Sequence, residues 1–175
     1  GFSCMSYEIS GALGIKMANP DKEVISFIGD GSYLLNNTDI YSSVITNNKL
    51  IIIVCDNGGF AVINRLQLFK GGNEYNNLLK SSNTPGLVNV DFAKHAESMG
   101  AKSEHVNSIS ELGEAFKRAK KSDVTYVISI KTHAYQWLEG SSFWDSPTLE
   151  IPTTEENKEA IKLYKEGKSK QRQGV

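Results

Sequence analysis

What this 175-residue chain lacks narrows it first. No apolar run approaches the roughly 18 residues that a membrane-crossing helix needs, and no charged leader precedes an apolar stretch as in a signal peptide. There is no basic excess: 19 lysines and arginines stand against 20 acidic residues, so nothing in the charge points to nucleic acid. Cysteine is scarce. Cys4 and Cys55 have no partner at a metal-ligand spacing, and two reduced thiols of a cytoplasmic protein are the plain reading. No internal repeat is visible. The length is enough for one globular domain with a core of its own. Because the chain opens on Gly1, inside a turn-like motif, a piece of a longer protein is expected.

What is present is organised around residues 24–60. Two apolar runs, Val24–Ile28 and Leu50–Cys55, each end abruptly in small polar residues: Gly29-Asp30-Gly31-Ser32 and Asp56-Asn57-Gly58-Gly59. Continuous β-branched runs of this length read as strands of a parallel sheet buried on both faces. Between them, Asn36–Asn48 carries Ile40, Tyr41, Val44 and Ile45 at helical spacing, which makes a strand–helix–strand crossover with parallel strands. Ligands of such sheets bind outside the carboxyl ends of the strands, so both polar clusters face one ligand.

The chemistry of the clusters is that of a hard cation and an anion. Asp30 offers a carboxylate, Asn57 a neutral amide oxygen, and the glycines let backbone N–H groups approach an anion. Magnesium takes six oxygens and is held by one or two carboxylates together with substrate phosphates. One Asp, one Asn, one backbone carbonyl, two diphosphate oxygens and one water complete that set. The bland alternative is a pair of strand-end turns, since glycine and aspartate make ordinary turns.

Gly-Asp-Gly, 24 residues (Ser32 to Cys55), then Asp56-Asn57 resembles the diphosphate motif of thiamine diphosphate enzymes, in which a second Asn is the metal ligand. That Asn is matched by Asn57; Asp56 departs from the first. The resemblance implies an α/β fold of three layers, a mostly parallel sheet with helices on both faces. It implies thiamine diphosphate and Mg2+ as cofactors, with Asp30, Asn57 and the Gly59 carbonyl on the metal. Gly29, Gly31, Ser32, Gly59 and Phe60 would line the cofactor, the last two at the start of a helix over Phe60–Phe69 whose N-terminus favours an anion. Upstream, residues 1–18 read as a turn entering a helix. Tyr7, Ile9, Ala12, Leu13 and Ile15 form its apolar side, Gly11 and Gly14 leave room for packing, and Pro20 ends it. On its own this is a scaffold helix. In the family, a G-x-M-G-like turn stands here, its Met supporting the bent cofactor, and Cys4-Met5-Ser6 matches that turn, with Ser6 where glycine is usual.

The rest of the chain completes a sheet. Asn64 and Gln67 read as solvated positions on the helix after Phe60, and Lys70–Val90 as a long, mobile loop. Asp91 caps a helix with Phe92, Ala96 and Met99 on one face, stopped by Gly100. A strand over Ala101–Val106, a capping box at Ser108 and Glu111, a helix burying Leu112, Ala115, Phe116 and Ala119, and a strand over Thr125–Ile130 follow. His95 and His105 read as surface or satisfied histidines. His133 follows a strand and lies at the ligand edge. Tyr135, Trp137, Glu139, Gly140, Ser141, Ser142, Phe143 and Trp144 suit either a packed flap or a lid over a hydroxylated substrate. The domain is bounded at 1–152, and residues 153–175, with six basic and four acidic residues, form a helix and a solvated tail.

Within the family, the stretches GFSCMSYEISGALGIKMA, FIGDGSYL, DNGGFAVINRLQ and WLEGSSFW resemble carbon–carbon bond hydrolases of myo-inositol catabolism that open trihydroxycyclohexane-1,2-dione to 5-deoxyglucuronate. The resemblance implies a cyclic diketone substrate, further N-terminal domains, a homodimer or homotetramer, and no nucleic-acid or membrane partner. The activating Glu of the family lies on a separate pyrimidine-binding domain, so no catalytic residue is assigned in this chain and the chain alone is expected to be inactive. An acetolactate synthase-like decarboxylase or carboligase, and a non-catalytic α/β binding module, remain the alternatives.

Overall fold

The computed structural model of the protein describes residues 4–83, 86, 88–137 and 148–171. Four strands, β1 (Ile25–Gly29), β2 (Ile51–Asp56), β3 (Lys102–Val106) and β4 (Tyr126–Lys131), form one sheet in the order β1-β2-β4-β3 with every pair parallel. Among the described residues there are seven α-helices: α1 (Tyr7–Ala18), α2 (Asp30–Leu35), α3 (Thr38–Ile45), α4 (Ala61–Phe69), α5 (Phe92–Ser98), α6 (Ile109–Lys121) and α7 (Glu155–Ser169). The expected three-layer α/β architecture is the observed one.

Strand alternation builds two cores. Ile52 and Val54 of β2 pack with Ile9, Ala12 and Leu13 of α1, Tyr33 of α2, Ile40 of α3, and Phe92 and Ala96 of α5. Ile51 and Ile53 face the other way, into Val106, Ile128, Ile130, Ala115 and Ala119 beneath α6. β2 is thus buried on both faces, as its unbroken apolar run requires. β1 is not. Ile25 and Phe27 are 42% and 63% exposed, because α6 lies over β3 and β4 and leaves that face of β1 bare.

Several helical expectations are corrected by the packing. The helix expected within 36–48 is α3, and a second, shorter helix precedes it in the crossover. Asp30 itself opens α2 directly after β1, and α3 starts only at Thr38. On α3, Tyr41 and Ile45 are exposed, and the buried pair is Ile40 and Ser43. On α1, Tyr7 and Ile15 are exposed while Ile9, Ala12 and Leu13 enter the core. Among the described residues Gly14 has no neighbour that a methyl group would meet, and Gly11 makes room for the Tyr7 ring of its own helix rather than for the sheet. The caps follow the sequence closely. Asp91 Oδ1 accepts from Lys94 N–H at 3.0 Å, Ser108 Oγ from Glu111 N–H at 3.2 Å, and Glu111 reaches back to Asn107 N–H at 2.9 Å.

A candidate cofactor and cation site at the strand ends

Register places the two polar clusters side by side. Gly29 is level with Cys55 across β1 and β2, so Asp30 and Asp56–Gly59 emerge together at the carboxyl edge of the sheet. Asp30 is 3% exposed. Its Oδ2 accepts from Gly59 N–H at 2.6 Å and its Oδ1 from Asn57 N–H at 3.4 Å. Burial, followed by the neighbouring charge of Asp56, pushes the Asp30 carboxyl above the ordinary carboxylate range, against the lowering effect of hydrogen bonds from Asn57, Gly59 and Gly31. A carboxylate held in this way gains from a cation.

The Asn57 side chain supplies the geometry for one. Its amide presents a polar atom 2.9 Å from the Gly59 carbonyl oxygen and 3.1 Å from Asp30 Oδ1. With nitrogen there, the amide donates to both oxygens. With oxygen there, three oxygen atoms converge. Magnesium–oxygen bonds of 2.0–2.1 Å give an octahedron with edges of about 2.9 Å, so the Asn57 atom stands about one octahedral edge from each of the other two oxygens. The carboxylate, amide and carbonyl donor set fits a hard divalent cation.

Two glycines make the convergence possible. A Cβ on Gly31 would stand 2.5 Å from the Phe60 ring and 3.2 Å from the Gly59 carbonyl oxygen. Gly59 has φ 138°, and its own Cβ would stand 2.5 Å from Asn77 O. This closeness arises because residues 77–79 lie against the turn: Phe60 N–H donates to Asn77 O at 2.7 Å and Leu79 N–H to Gly58 O at 2.9 Å. The stretch expected to be a mobile loop is therefore pinned to the site at Asn77–Leu79. The same bonds correct another expectation. The N–H groups of Gly59 and Phe60 are taken by Asp30 and Asn77, so these two residues bring a carbonyl and a ring to the site rather than free donors.

Cys4, Met5, Gly29, Gly31, Ser32, Asn57, Gly59 and Phe60 line one open cleft of about 520 Å³, together with Glu8 and the first half of α4. Asp30 lies beside it, on a smaller cavity of about 130 Å³ with Asp56, Gly59, Phe60 and Lys131. All nine candidate residues are thus gathered at one edge. Ser6, before α1, adopts φ 72°, the left-handed conformation that glycine adopts most readily. Cys4 and Cys55 are both free thiols.

Sequence reasoning missed three features. Lys131, at the end of β4, forms an ion pair with Asp56 Oδ2, while Asp56 Oδ1 accepts from Gly58 N–H at 3.1 Å. Asn64 is not solvated: it is 2% exposed, and its Nδ2 donates to Glu74 Oε1 at 3.0 Å. Glu74 also accepts from Tyr135 Oη at 2.6 Å, which, with Asn64, holds its carboxyl below the usual range. Tyr135 is covered by Lys80, 4.1 Å from the ring centre, and Trp137 by Arg65 at 4.9 Å. The segment after β4 is therefore fastened to α4. Positions 138–144 of the expected flap or lid lie outside the described residues. His95 is a satisfied histidine, its Nδ1 sharing a hydrogen bond of 2.8 Å with Tyr33 Oη. His133 follows β4 and is exposed. Gln67 is tied internally to Asn73 and Asn77.

A parallel α/β sheet with an oxygen-lined cleft at the ends of adjacent strands is the build of a cofactor-binding domain. The chain belongs to the family of thiamine pyrophosphate enzymes, as their C-terminal TPP-binding domain: the model of that family matches residues 1–130. It is 39% identical over 93% of its length to the 3D-(3,5/4)-trihydroxycyclohexane-1,2-dione hydrolase of Bacillus licheniformis, covering 25% of that protein. It is 36% identical over 95% of its length to the enzyme of the same name from Halalkalibacterium halodurans, covering 26%. Among solved structures, a thiamine diphosphate-dependent 4-hydroxybenzoylformate decarboxylase of Rhodococcus jostii superposes with a TM-score of 0.65 at 27% identity, over 74% of this chain and 23% of that one. The chain thus spans about a quarter of the length of the curated relatives it matches. No helix among the described residues is long and apolar enough to cross a membrane.

Proposed function

We propose that residues 1–152 are the diphosphate- and magnesium-binding domain of a cytoplasmic, homo-oligomeric thiamine diphosphate-dependent hydrolase. Its reaction is cleavage of the bond between the two carbonyl carbons of a trihydroxycyclohexane-1,2-dione, with residues 153–175 as a C-terminal helix and tail. The observation that carries this reading is the convergence of Asp30, Asn57 and the Gly59 carbonyl at the mouth of a cleft lined by Met5 and Ser32. The substrate class rests on the hydrolases to which the chain is 36–39% identical.

The bound cofactor supplies a carbanion nucleophile and an electron sink for carbon–carbon cleavage. The residues of this chain hold and orient. Asp30 and Asn57 would hold a divalent cation, whose charge would offset that of a diphosphate. Met5 and Phe60 wall the cleft with apolar surface that excludes water from the cofactor's ring. Gly31 leaves space for the closest approach of the two loops. A proton-moving carboxylate is supplied by another domain, so this chain by itself turns over no substrate.

The test is thermal unfolding with thiamine diphosphate, with and without Mg2+. A ligand at a hundredfold excess over its dissociation constant adds about 2.7 kcal/mol of stability. A magnesium-dependent rise in midpoint that disappears in Asn57→Ala is expected, along with turnover of the cyclic dione, and not of a 2-keto acid, by the complete enzyme. Thiamine diphosphate binding by the complete enzyme that is indifferent to both Mg2+ and Asn57→Ala would overturn the site assignment. Preferential decarboxylation of the 2-keto acid would overturn the substrate.

A further inference from the structure

We propose that Lys131 is a positioning residue for this cofactor site, acting through Asp56; the inference rests on the reading that Asp30, Asn57 and Gly59 hold a magnesium diphosphate. Asp56 stands where the family's motif has a neutral asparagine. It brings a second buried carboxylate next to Asp30: the Asp56 side chain is 6% exposed, and the two aspartates line the same small cavity. An uncompensated charge at that depth is costly, and here it would also face an incoming diphosphate. Lys131 supplies the compensation. Asp56 and Lys131 are register partners across β2 and β4, Thr132 N–H donates to Asp56 O at 2.8 Å, and the Lys131 ammonium pairs with Asp56 Oδ2.

The consequence is geometric as well as electrostatic. With Oδ2 held by Lys131, Oδ1 is left to accept from Gly58 N–H at 3.1 Å. That bond shapes the turn whose next residue offers its carbonyl to the cation cluster and whose preceding residue is Asn57. Lys131 therefore sets the Asn57–Gly59 turn without touching the cation or the cofactor. Its own side chain is 59% exposed, so the pair reaches from the surface into the site.

The experiment is a binding titration of thiamine diphosphate with Mg2+ on the complete enzyme, read by calorimetry so that catalysis is not involved. Lys131→Met is expected to weaken the apparent affinity about tenfold, by stranding the Asp56 charge. Lys131→Arg keeps the charge and is expected to stay within about threefold of the parent. The double variant Asp56→Asn with Lys131→Met removes both charges and keeps an acceptor for Gly58, so it is expected to recover to within about threefold. A role of the lysine stem in packing alone predicts no such recovery. Unchanged affinity in Lys131→Met, or a double variant as weak as Lys131→Met, would sink the proposal. Absence of binding in the parent enzyme would instead sink the cofactor reading on which it rests. Circular dichroism of each variant identifies any that fail to fold, and the arginine and double variants then carry the decision.

Discussion

Replacing Gly59 by alanine is the sharpest probe of the turn. Its φ of 138° lies where a side chain is strained, at a cost of about 1–3 kcal/mol. The new Cβ would also stand 2.5 Å from Asn77 O and 3.1 Å from Leu78 Cα, both backbone atoms that cannot rotate away. Relief comes only by parting the Gly59–Leu78 bridge, which releases the bonds from Phe60 to Asn77 and from Leu79 to Gly58. Each is worth about 1 kcal/mol. The total loss is therefore about 4 kcal/mol, or roughly 10 °C in Tm for a domain of this size. Gly58→Ala is the control. Its φ is 83°, with no heavy atom of the described residues within 4 Å of the added carbon, so only the left-handed conformation is penalised, by about 1 kcal/mol. Urea unfolding separates the two: the midpoint should fall several times further for Gly59→Ala, with an unchanged m-value. Equal losses would refute the claim that residues 77–79 hold the turn.

Two further perturbations address the tail and the carboxylate. Asn157 is 4% exposed, donates from Nδ2 to Gly71 O at 2.6 Å and accepts from Thr153 N–H at 3.3 Å, so Asn157→Leu should cost about 1–3 kcal/mol and raise hydrogen exchange in α7 before β2. Equal exchange in parent and variant would show that this anchor does not hold α7. Asp30 binds its proton more tightly when folded than at its ordinary pKa of 3.8, so without cofactor the stability it contributes is complete below that value and is lost as pH rises through its folded value. Asp30→Asn should flatten that part of the pH–stability curve, and magnesium affinity should fall as pH drops through the same window, because proton and cation compete for one carboxylate. A curve with the same slope in both proteins would refute the shift.

The elements legible in the sequence were those whose signal is local. β2 declares itself because six successive residues, Ile51–Asp56, are buried or half-buried on both faces. The caps at Asp91 and Ser108 declare themselves because donor and acceptor are three residues apart. The exposed face of β1 did not, because Ile25 and Phe27 carry the same apolar pattern whether or not a helix covers them. Asn64 was misread for a similar reason. Its burial depends on Glu74, ten residues on, and on Tyr135, which reaches Glu74 from beyond β4. On α3, helical spacing identified a stripe but not its orientation. Ser43 is drawn inward by a hydrogen bond of 2.7 Å with Thr125, and Tyr41 and Ile45 are left outside.

Lys131 shows why the remainder of the site could not be read from spacing. Asp30 and Asn57 are joined by consecutive strands, so their separation is a motif. Asp56 and Lys131 are 75 positions apart and meet only because β4, not β3, lies next to β2. The register makes the difference concrete. Val106, the last residue of β3, is level with Ile130, and the next position along the chain is Asn107, a neutral residue. A sheet in simple sequential order would bring that asparagine, rather than a lysine, beside the Asp56 edge. In the observed strand order the buried aspartate meets a lysine. The topology that inserts β4 between β2 and β3 also neutralises the charge that distinguishes Asp56 from the asparagine of the family motif.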